Sequence, residues 1–277
     1  MSTRSSGRPP ARQVMTTRSS ARLPARQGTD PLHCEREINA TVRTYRMQKE
    51  PFGALLIFYN TEFDNLPEME SCRKDADLME KTFREKFSGN FRISRFENKN
   101  LSKITSILNN LKSDSTLIPT DSMLMCYFSS HGSREGLVTK NGEILPYDEI
   151  YKHLRNDELL CMNGKPKLVM LDCCRGTKNH VFQQKLAGAG LHSKKIHSDM
   201  AILKASPEGY TTFAFEKQPS VFTKAFCGAI SNSITLDYTD IVHETTAKIK
   251  QSKFSKQCVP ESTSYLDARL IFKTSDT

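Results

Sequence analysis

Two polar stretches of the sequence, each directly after an apolar run, contain residue types that could form a nucleophilic site. The run MLMCYF (123–128) leads into SSHG (129–132), and KLVML (167–171) leads into DCCRG (172–176). A cysteine attacks as its thiolate, and because the ordinary thiol pKa is ~8.5 it needs a base. An imidazole within reach takes that proton and later gives it to the leaving amine. His131 and Cys174 could therefore act as base and nucleophile, with the Gly132 and Cys174 amides as oxyanion donors.

The apolar pattern predicts the elements that must position these residues. It predicts strands at 53–59, 91–96, 123–128 and 167–171, and helices at 75–87, 101–111 and 147–154. This alternation is typical of right-handed crossovers and a mainly parallel sheet. Such sheets bind ligands at the carboxyl ends of their strands. His131 and Cys174 both fall just past a predicted strand end.

A break follows the second polar stretch. Residues 177–197 are polar, with small-residue steps and no period. A loop of this length in a compact domain indicates a functional or cleavable segment. Beyond it the pattern predicts an apolar strand at 200–203, helices near 221–230 and 239–250, and an alternating strand at 266–272.

The amino-terminal segment differs in composition from the rest. Residues 1–13 (MSTRSSGRPPARQ) are repeated as residues 15–27 (MTTRSSARLPARQ). Residues 1–29 contain six Arg and no acid, so they carry +6 of the net charge of +9 and leave an ordinary balance elsewhere. Ser, Arg and Pro without aromatic residues cannot bury enough apolar area to offset ordering entropy. We predict a disordered tail at 1–30, either solvated or in contact with phosphate or an acidic partner.

Composition argues against several other classes of protein. No apolar run approaches the ~20 residues that span a bilayer, and the first 30 residues contain no apolar signal block. We therefore expect an intracellular, cytoplasmic protein whose eight cysteines are thiols. Because no C-x-x-C pair is present, the sequence predicts no zinc site and no cofactor.

Five segments in a shared order make the chain resemble the caspases over residues 45–273. They are ALLIFYNTEFD (54–64), SSHG (129–132), GKPKLVMLDCCRG (164–176), GYTTFAF (209–215) and KQCVPESTSYLDARLIF (256–272). The resemblance implies an α/β, three-layer fold with a mainly parallel central sheet flanked by helices. It also implies that His131 is the catalytic base and that Cys174 is the nucleophile. Adjacent residues of an extended segment face opposite ways, so Cys173 is expected in the core.

The resemblance also divides the chain. It predicts a large-subunit-like region at 31–176, an intersubunit linker at 177–198 and a small-subunit-like region at 199–277. Caspase precursors mature by cleavage after Asp in the linker, but this linker contains no Asp or Glu. It does contain Lys185, Lys194 and Lys195, which are our candidate processing sites.

The predicted substrate-binding residues depart from the caspase pattern. Caspases bind a substrate Asp with two Arg and a Gln, and the corresponding positions here are Ser71, Ala214 and Asp172. In the same small-subunit loop, Phe213 replaces a Trp and follows Tyr210 by three positions. A substrate carboxylate facing Asp172 would be repelled. We therefore expect that Asp is not accepted at P1, the substrate residue before the cleaved bond.

Two functions from different classes remain open. Metacaspases and paracaspases, which are distant relatives, also have Asp two residues before their cysteine and cleave after Arg or Lys. Asp172 thus favours a caspase-like endopeptidase of apoptosis or related signalling, although it could instead be bonded to nearby groups as a structural residue. Loss of the family's pocket residues favours a catalytically impaired homologue that binds a caspase precursor and regulates its activation. The intact His131 and Cys174 favour the enzyme.

Assembly is the last expectation from the sequence. The segment LDARLIF (266–272) alternates and resembles the caspase edge strand that pairs across a two-fold axis. An exposed edge of this kind promotes association unless it is paired. We predict a homodimer, or a heterodimer with another caspase, that acts on protein substrates and has no membrane or nucleic-acid partner.

Overall fold

The centre of the fold is a six-stranded sheet with the strand order β2-β1-β3-β6-β7-β8. The computed structural model describes residues 43–119, 121–174, 198–207, 218–255 and 258–274. The strands of the sheet are β1 Gly53–Tyr59, β2 Phe91–Glu97, β3 Met123–Ser129, β6 Lys167–Asp172, β7 Met200–Lys204 and β8 Glu261–Tyr265. All neighbouring pairs are parallel except β7 and β8, which are antiparallel. A separate antiparallel hairpin, β4 Gly136–Val138 and β5 Ile144–Pro146, follows β3.

Helices cover both faces of the sheet and complete three layers. They are α1 Glu70–Phe87, α2 Leu101–Asn110, α3 Tyr147–Leu154, α4 Val221–Asn232 and α5 Tyr238–Gln251. Alternate residues of each strand enter different cores, because successive side chains point to opposite faces. Leu55 of β1 packs in the core shared with α1, α4 and α5. Its neighbour Leu56 packs in the core shared with α2 and α3. The α/β, three-layer fold expected from the sequence is confirmed.

The edge strand is not where the sequence pattern predicted it, so the assignment of an edge strand to 266–272 was wrong. Strand β8 ends at Tyr265, and the following segment forms only isolated bridges, Thr44 with Arg269 and Asp237 with Ile271. Leu270 and Phe272 are buried. Apolar alternation in this segment therefore reflects its packing into the core beside α5, whereas the real edge strand has the polar sequence ESTSY.

The described part of the chain contains neither a disulfide nor a membrane-spanning helix. Every cysteine in these ranges is a free thiol. None of the helices in the same ranges has both the length and the apolar character needed to cross a bilayer.

Candidate active site

The pairing of β3 with β6 brings the predicted base and nucleophile to one level of the sheet edge. These strands are parallel neighbours, and Ser129 pairs with Asp172. His131 and Cys174 each lie two residues beyond that pair. The Ser130 N–H donates to the Asp172 carbonyl at 3.4 Å, which extends the pairing past the strand ends. Since neighbouring strands are ~4.8 Å apart, the two residues leave the sheet on adjacent segments.

Gly132 brings these segments into direct contact. A Cβ atom added to Gly132 would lie 2.5 Å from the Cys174 carbonyl oxygen and 2.8 Å from the Cys173 Cβ. Real nonbonded atoms do not approach so closely, so glycine is required by space at this position. The His131 and Cys174 segments are therefore packed backbone against backbone.

The backbone around Gly132 leaves its N–H outside the local hydrogen-bond ladder. Gly132 forms an antiparallel bridge with Leu137. The two hydrogen bonds of this bridge come from the N–H groups of Ser133 and Val138, each at 2.9 Å. The bridge thus uses neither polar group of Gly132, and the geometry is compatible with its expected role as an oxyanion donor.

His131 is held by a backbone carbonyl and an aromatic ring. Its Nε2 lies 2.9 Å from the Pro67 carbonyl oxygen. A carbonyl only accepts, so Nε2 of the neutral ring carries the proton and Nδ1 keeps the lone pair. The Phe63 ring packs on the imidazole with centroids 4.6 Å apart and planes tilted by 56°. Burial lowers the pKa of His131, and the bond to Pro67 partly opposes this shift. The imidazole is therefore neutral at pH 7 and can act as a base.

Cys173 faces away from the surface, as expected from the alternation of side chains. It is 2 % exposed and lies in the core shared with α2 and α3. Its Sγ is 3.2 Å from the Tyr147 hydroxyl, which is also 3.0 Å from the Ser133 carbonyl oxygen. Cys174 is only half-buried. Of the two adjacent thiols, Cys174 is the one that solvent or a substrate can reach.

Asp172 is buried, and three hydroxyl groups lie within hydrogen-bond distance of its Oδ2. Ser220 lies at 2.5 Å, Thr223 at 2.8 Å and Tyr127 at 3.2 Å. The Tyr127 and Thr223 hydroxyls are also 2.6 Å apart, so one of them donates to the other. Oδ1 receives no hydrogen bond from the described residues. Ser220 is the N-cap of α4 and Thr223 lies in its first turn. Asp172 therefore joins the end of β6 to the amino end of α4.

A second carboxylate, Asp75 of α1, lies beside Asp172. Its Oδ1 accepts the Ser220 N–H at 2.7 Å, and its Oδ2 accepts the Ser129 hydroxyl at 3.0 Å. Burial and the nearby Asp172 charge raise the pKa of Asp75 well above its ordinary value. Burial also raises the pKa of Asp172, although hydrogen bonding to the nearby hydroxyl groups opposes this shift. Within the described residues neither carboxylate has an ion-pair partner.

The remaining predicted site residues divide into one inside and six outside the described ranges. Ser71 is 3 % exposed in the first turn of α1, one helical turn before Asp75. Six predicted site residues lie outside the described ranges, and their proposed roles stay predictions. They are Tyr210, Phe213, Ala214, Lys185, Lys194 and Lys195. The described ranges contain no cluster of His, Cys, Asp or Glu side chains that could hold a metal ion.

Sequence reasoning missed the partners that hold the site together. Asp75 had a detectable signal, because it lies on the buried face of α1 with Cys72 and Met79, where a carboxylate is unusual. Pro67 had none, because its contribution is a backbone carbonyl that every residue type possesses. Phe63 could not be placed against His131 from spacing alone.

A thiol and an imidazole at the ends of adjacent parallel strands, in a three-layer α/β fold, define the class of caspase-like cysteine peptidases. The caspase domain family model matches residues 53–271. The chain therefore belongs to the caspase family.

Individual relatives are distant. The chain is 23% identical to caspase-3 of Bos taurus over 207 residues, covering 72% of this chain and 74% of that protein. It is 22% identical to caspase-1-A of Xenopus laevis over 190 residues, covering 61% of this chain but only 48% of that protein. Among solved structures, caspase-1 from Spodoptera frugiperda superposes with a TM-score of 0.70 at 21% identity. That match covers 85% of this chain and 95% of the other, and it shows the fold.

Proposed function

We propose that this protein is an intracellular cysteine endopeptidase in which Cys174 is the nucleophile and His131 is the base. His131 Nδ1 takes the thiol proton, and the thiolate attacks the substrate carbonyl carbon. The Gly132 and Cys174 N–H groups stabilise the oxyanion. The imidazolium then protonates the leaving amine, and water activated by His131 hydrolyses the thioester. As in the family, we place this activity in apoptosis or related proteolytic signalling.

The observation that carries this proposal is the combined geometry of His131. The pairing of Ser129 with Asp172 supports the proposal, because it places the His131 segment beside the Cys174 segment. The Pro67 carbonyl supports the tautomer whose Nδ1 can accept a proton.

We further propose that P1 is Lys or Arg rather than Asp. A buried charge without an ion-pair partner is costly, and Asp172 has none among the described residues. A cation that approached its Oδ1 would lower that cost. Burial and the Asp172 charge raise the pKa of Asp75, and a substrate ammonium beside the two carboxyl groups would oppose this shift. A substrate Asp would instead add a third carboxylate. Any self-processing is then expected at Lys185, Lys194 or Lys195.

Labelling by peptide electrophiles tests both proposals. The purified protein would be treated with two peptide probes that carry the same reactive group, one with Lys and one with Asp at P1. Mass spectrometry would then locate the modified residue. We expect the Lys probe to label Cys174, the Asp probe to fail, and Cys174→Ser to abolish labelling. Asp172→Asn keeps the shape and removes the charge, so it should slow the Lys probe by about tenfold or more. Faster labelling by the Asp probe would contradict the basic pocket.

The alternative function, a regulator that binds a caspase precursor, is favoured by one observation in the sequence. Ala214 stands where the family has the Arg that binds substrate. A folded protein that neither probe labels, but that co-purifies with a caspase precursor, would establish this alternative. Asp172→Gln combined with Ala214→Arg would then be expected to restore labelling by the Asp probe.

A further inference from the structure

The loop between β1 and α1, residues 60–69, contacts the His131 imidazole at two points. The Pro67 carbonyl accepts from Nε2 at 2.9 Å, and the Phe63 ring packs against the imidazole with centroids 4.6 Å apart and planes tilted by 56°. One contact is a hydrogen bond to a ring nitrogen, and the other is a packing contact with the ring as a whole. Together they restrict both rotation and tilt of the imidazole.

The amide side chain of Asn98 holds the start of this loop. Its Oδ1 accepts the N–H of Thr61 at 2.8 Å and the N–H of Glu62 at 3.1 Å. Its Nδ2 donates to the Thr61 hydroxyl at 3.2 Å. Asn98 has φ 52, a left-handed conformation that Asn tolerates better than most residues. The residues immediately before Phe63 are thus fixed by one side chain.

A second amide, Asn60, connects the same loop to the His131 segment. Its Oδ1 accepts the Lys99 N–H at 3.0 Å. Its Nδ2 donates to the Ser130 hydroxyl at 3.4 Å and to the Val138 carbonyl at 3.3 Å. Asn60 is buried, so these bonds are shielded from water. One continuous hydrogen-bond network therefore positions both the loop and the His131 segment that it contacts.

We propose that Phe63 is a positioning residue for His131. Asn98 acts indirectly, because it fixes the loop that contains Phe63. The Phe63 ring holds the imidazole so that Nε2 stays on the Pro67 carbonyl and Nδ1 is left to accept the thiol proton. This inference rests on the proposed Cys-His chemistry. Misorientation of a catalytic group lowers the rate of the chemical step while substrate binding is largely retained.

The chemistry around Phe63 makes its substitution informative. Its flanking acids, Glu62 and Asp64, are exposed, and Glu62 lies 3.9 Å from Lys140. A change at Phe63 leaves these charges in place. Phe63 is itself half-buried, so its loss does not remove a core residue. Phe52 offers a matched control, since it is a half-buried ring before β1, at the opposite end of the strand.

The test compares Phe63→Leu, Phe63→Tyr and the control Phe52→Leu. Nitrogen NMR of His131 would report its tautomer and pKa, and peptide hydrolysis would report kcat and KM. For Phe63→Leu we expect loss of the single Nε2–H tautomer and a pKa closer to the ordinary value. We also expect kcat to fall about tenfold, with KM within about twofold. Phe63→Tyr should restore these properties, and Phe52→Leu should change none of them.

Two outcomes would overturn the proposal. One is an unchanged tautomer and pKa of His131 in Phe63→Leu, and the other is an equal change in Phe52→Leu. Asn98→Gly, which keeps the left-handed backbone but removes the amide, should shift His131 in the same direction as Phe63→Leu. The NMR readout needs no turnover, so it decides the role of Phe63 even if the wild-type protein hydrolyses no peptide.

Discussion

At the scale of single residues, the two adjacent thiols have different environments and should have different roles. Cys173 is buried against Tyr147, whereas Cys174 is half-buried beside Gly132. We expect Cys174→Ser and His131→Ala each to abolish nearly all peptide hydrolysis, because base and nucleophile act as a unit. Cys173→Ala should retain most activity, since Tyr147 keeps the Ser133 carbonyl as a partner. Initial rates on a Lys-terminated fluorogenic peptide would measure all three.

The three variants also test the assignment of the nucleophile. If Cys173→Ala were as harmful as Cys174→Ser while folding was unchanged by circular dichroism, the assignment would be wrong. The Tyr147→Phe variant serves as a control for packing around Cys173, because it removes only the hydroxyl.

The acidic pair makes a prediction about the pH dependence of stability. The folded pKa of Asp75 is raised by burial and by the Asp172 charge. A carboxyl of this kind contributes full stability below its unfolded pKa, and that contribution is lost as pH rises through its folded pKa. Asp75→Asn should therefore increase the free energy of unfolding at pH 7.5, by about 1 kcal/mol or more, and change it little at pH 4. Urea denaturation at the two pH values measures this difference.

Asp77→Asn on the same helix is the matched control for charge removal. Asp77 is exposed and pairs with Arg95 at 2.9 Å, so its loss should give no gain at either pH. Asn at position 75 can still accept from the Ser220 N–H and contact the Ser129 hydroxyl. A loss of stability for Asp75→Asn at pH 7.5 would show that the fold requires an ionised Asp75.

At the scale of elements, the sequence predicted those with a strong apolar period. Strand β1 was predicted at 53–59, and helix α3 at 147–154, with the bounds that the structure has. Helix α1 begins at Glu70 rather than at Asp75, because the small buried Ser71 and Cys72 extend its inner face without a bulky apolar signal. Strand β8 was missed since an edge strand exposed to water has no need of apolar residues.

The placement of the candidate residues was predictable where it depends on strand ends. His131 and Cys174 follow paired parallel strands, which bring their carboxyl ends to one edge of the sheet, and their catalytic roles stay predictions. The role of Asp75 depends on the crossing of α1 over that edge, and the Pro67 contact depends on the path of a loop. Both are tertiary arrangements, and the local sequence alone does not encode them.

At the scale of the whole molecule, the edge strand β8 bears on the proposed assembly. In the part of the chain that the structure describes, β8 pairs with β7 on one side only, and its other side is the edge of the sheet. An unpaired edge presents backbone groups to another strand. Tyr265, the last residue of β8, is 41% exposed, and Val259, just before the strand begins, is 40% exposed. We therefore propose that β8, rather than 266–272, is the strand that pairs in a homodimer or in a heterodimer with another caspase.

Sedimentation equilibrium over a wide range of concentration tests this assembly. We expect Tyr265→Arg to weaken the dimer by about tenfold or more, because an exposed aromatic residue in an interface is a frequent source of binding energy. Ile234→Arg is the matched control, since Ile234 is 98% exposed in the α4–α5 loop and is not part of the sheet edge. If Ile234→Arg weakened the dimer and Tyr265→Arg did not, the interface would lie on the helical face instead. A wild-type chain that stays monomeric at high concentration and binds no caspase would remove the case for pairing through β8.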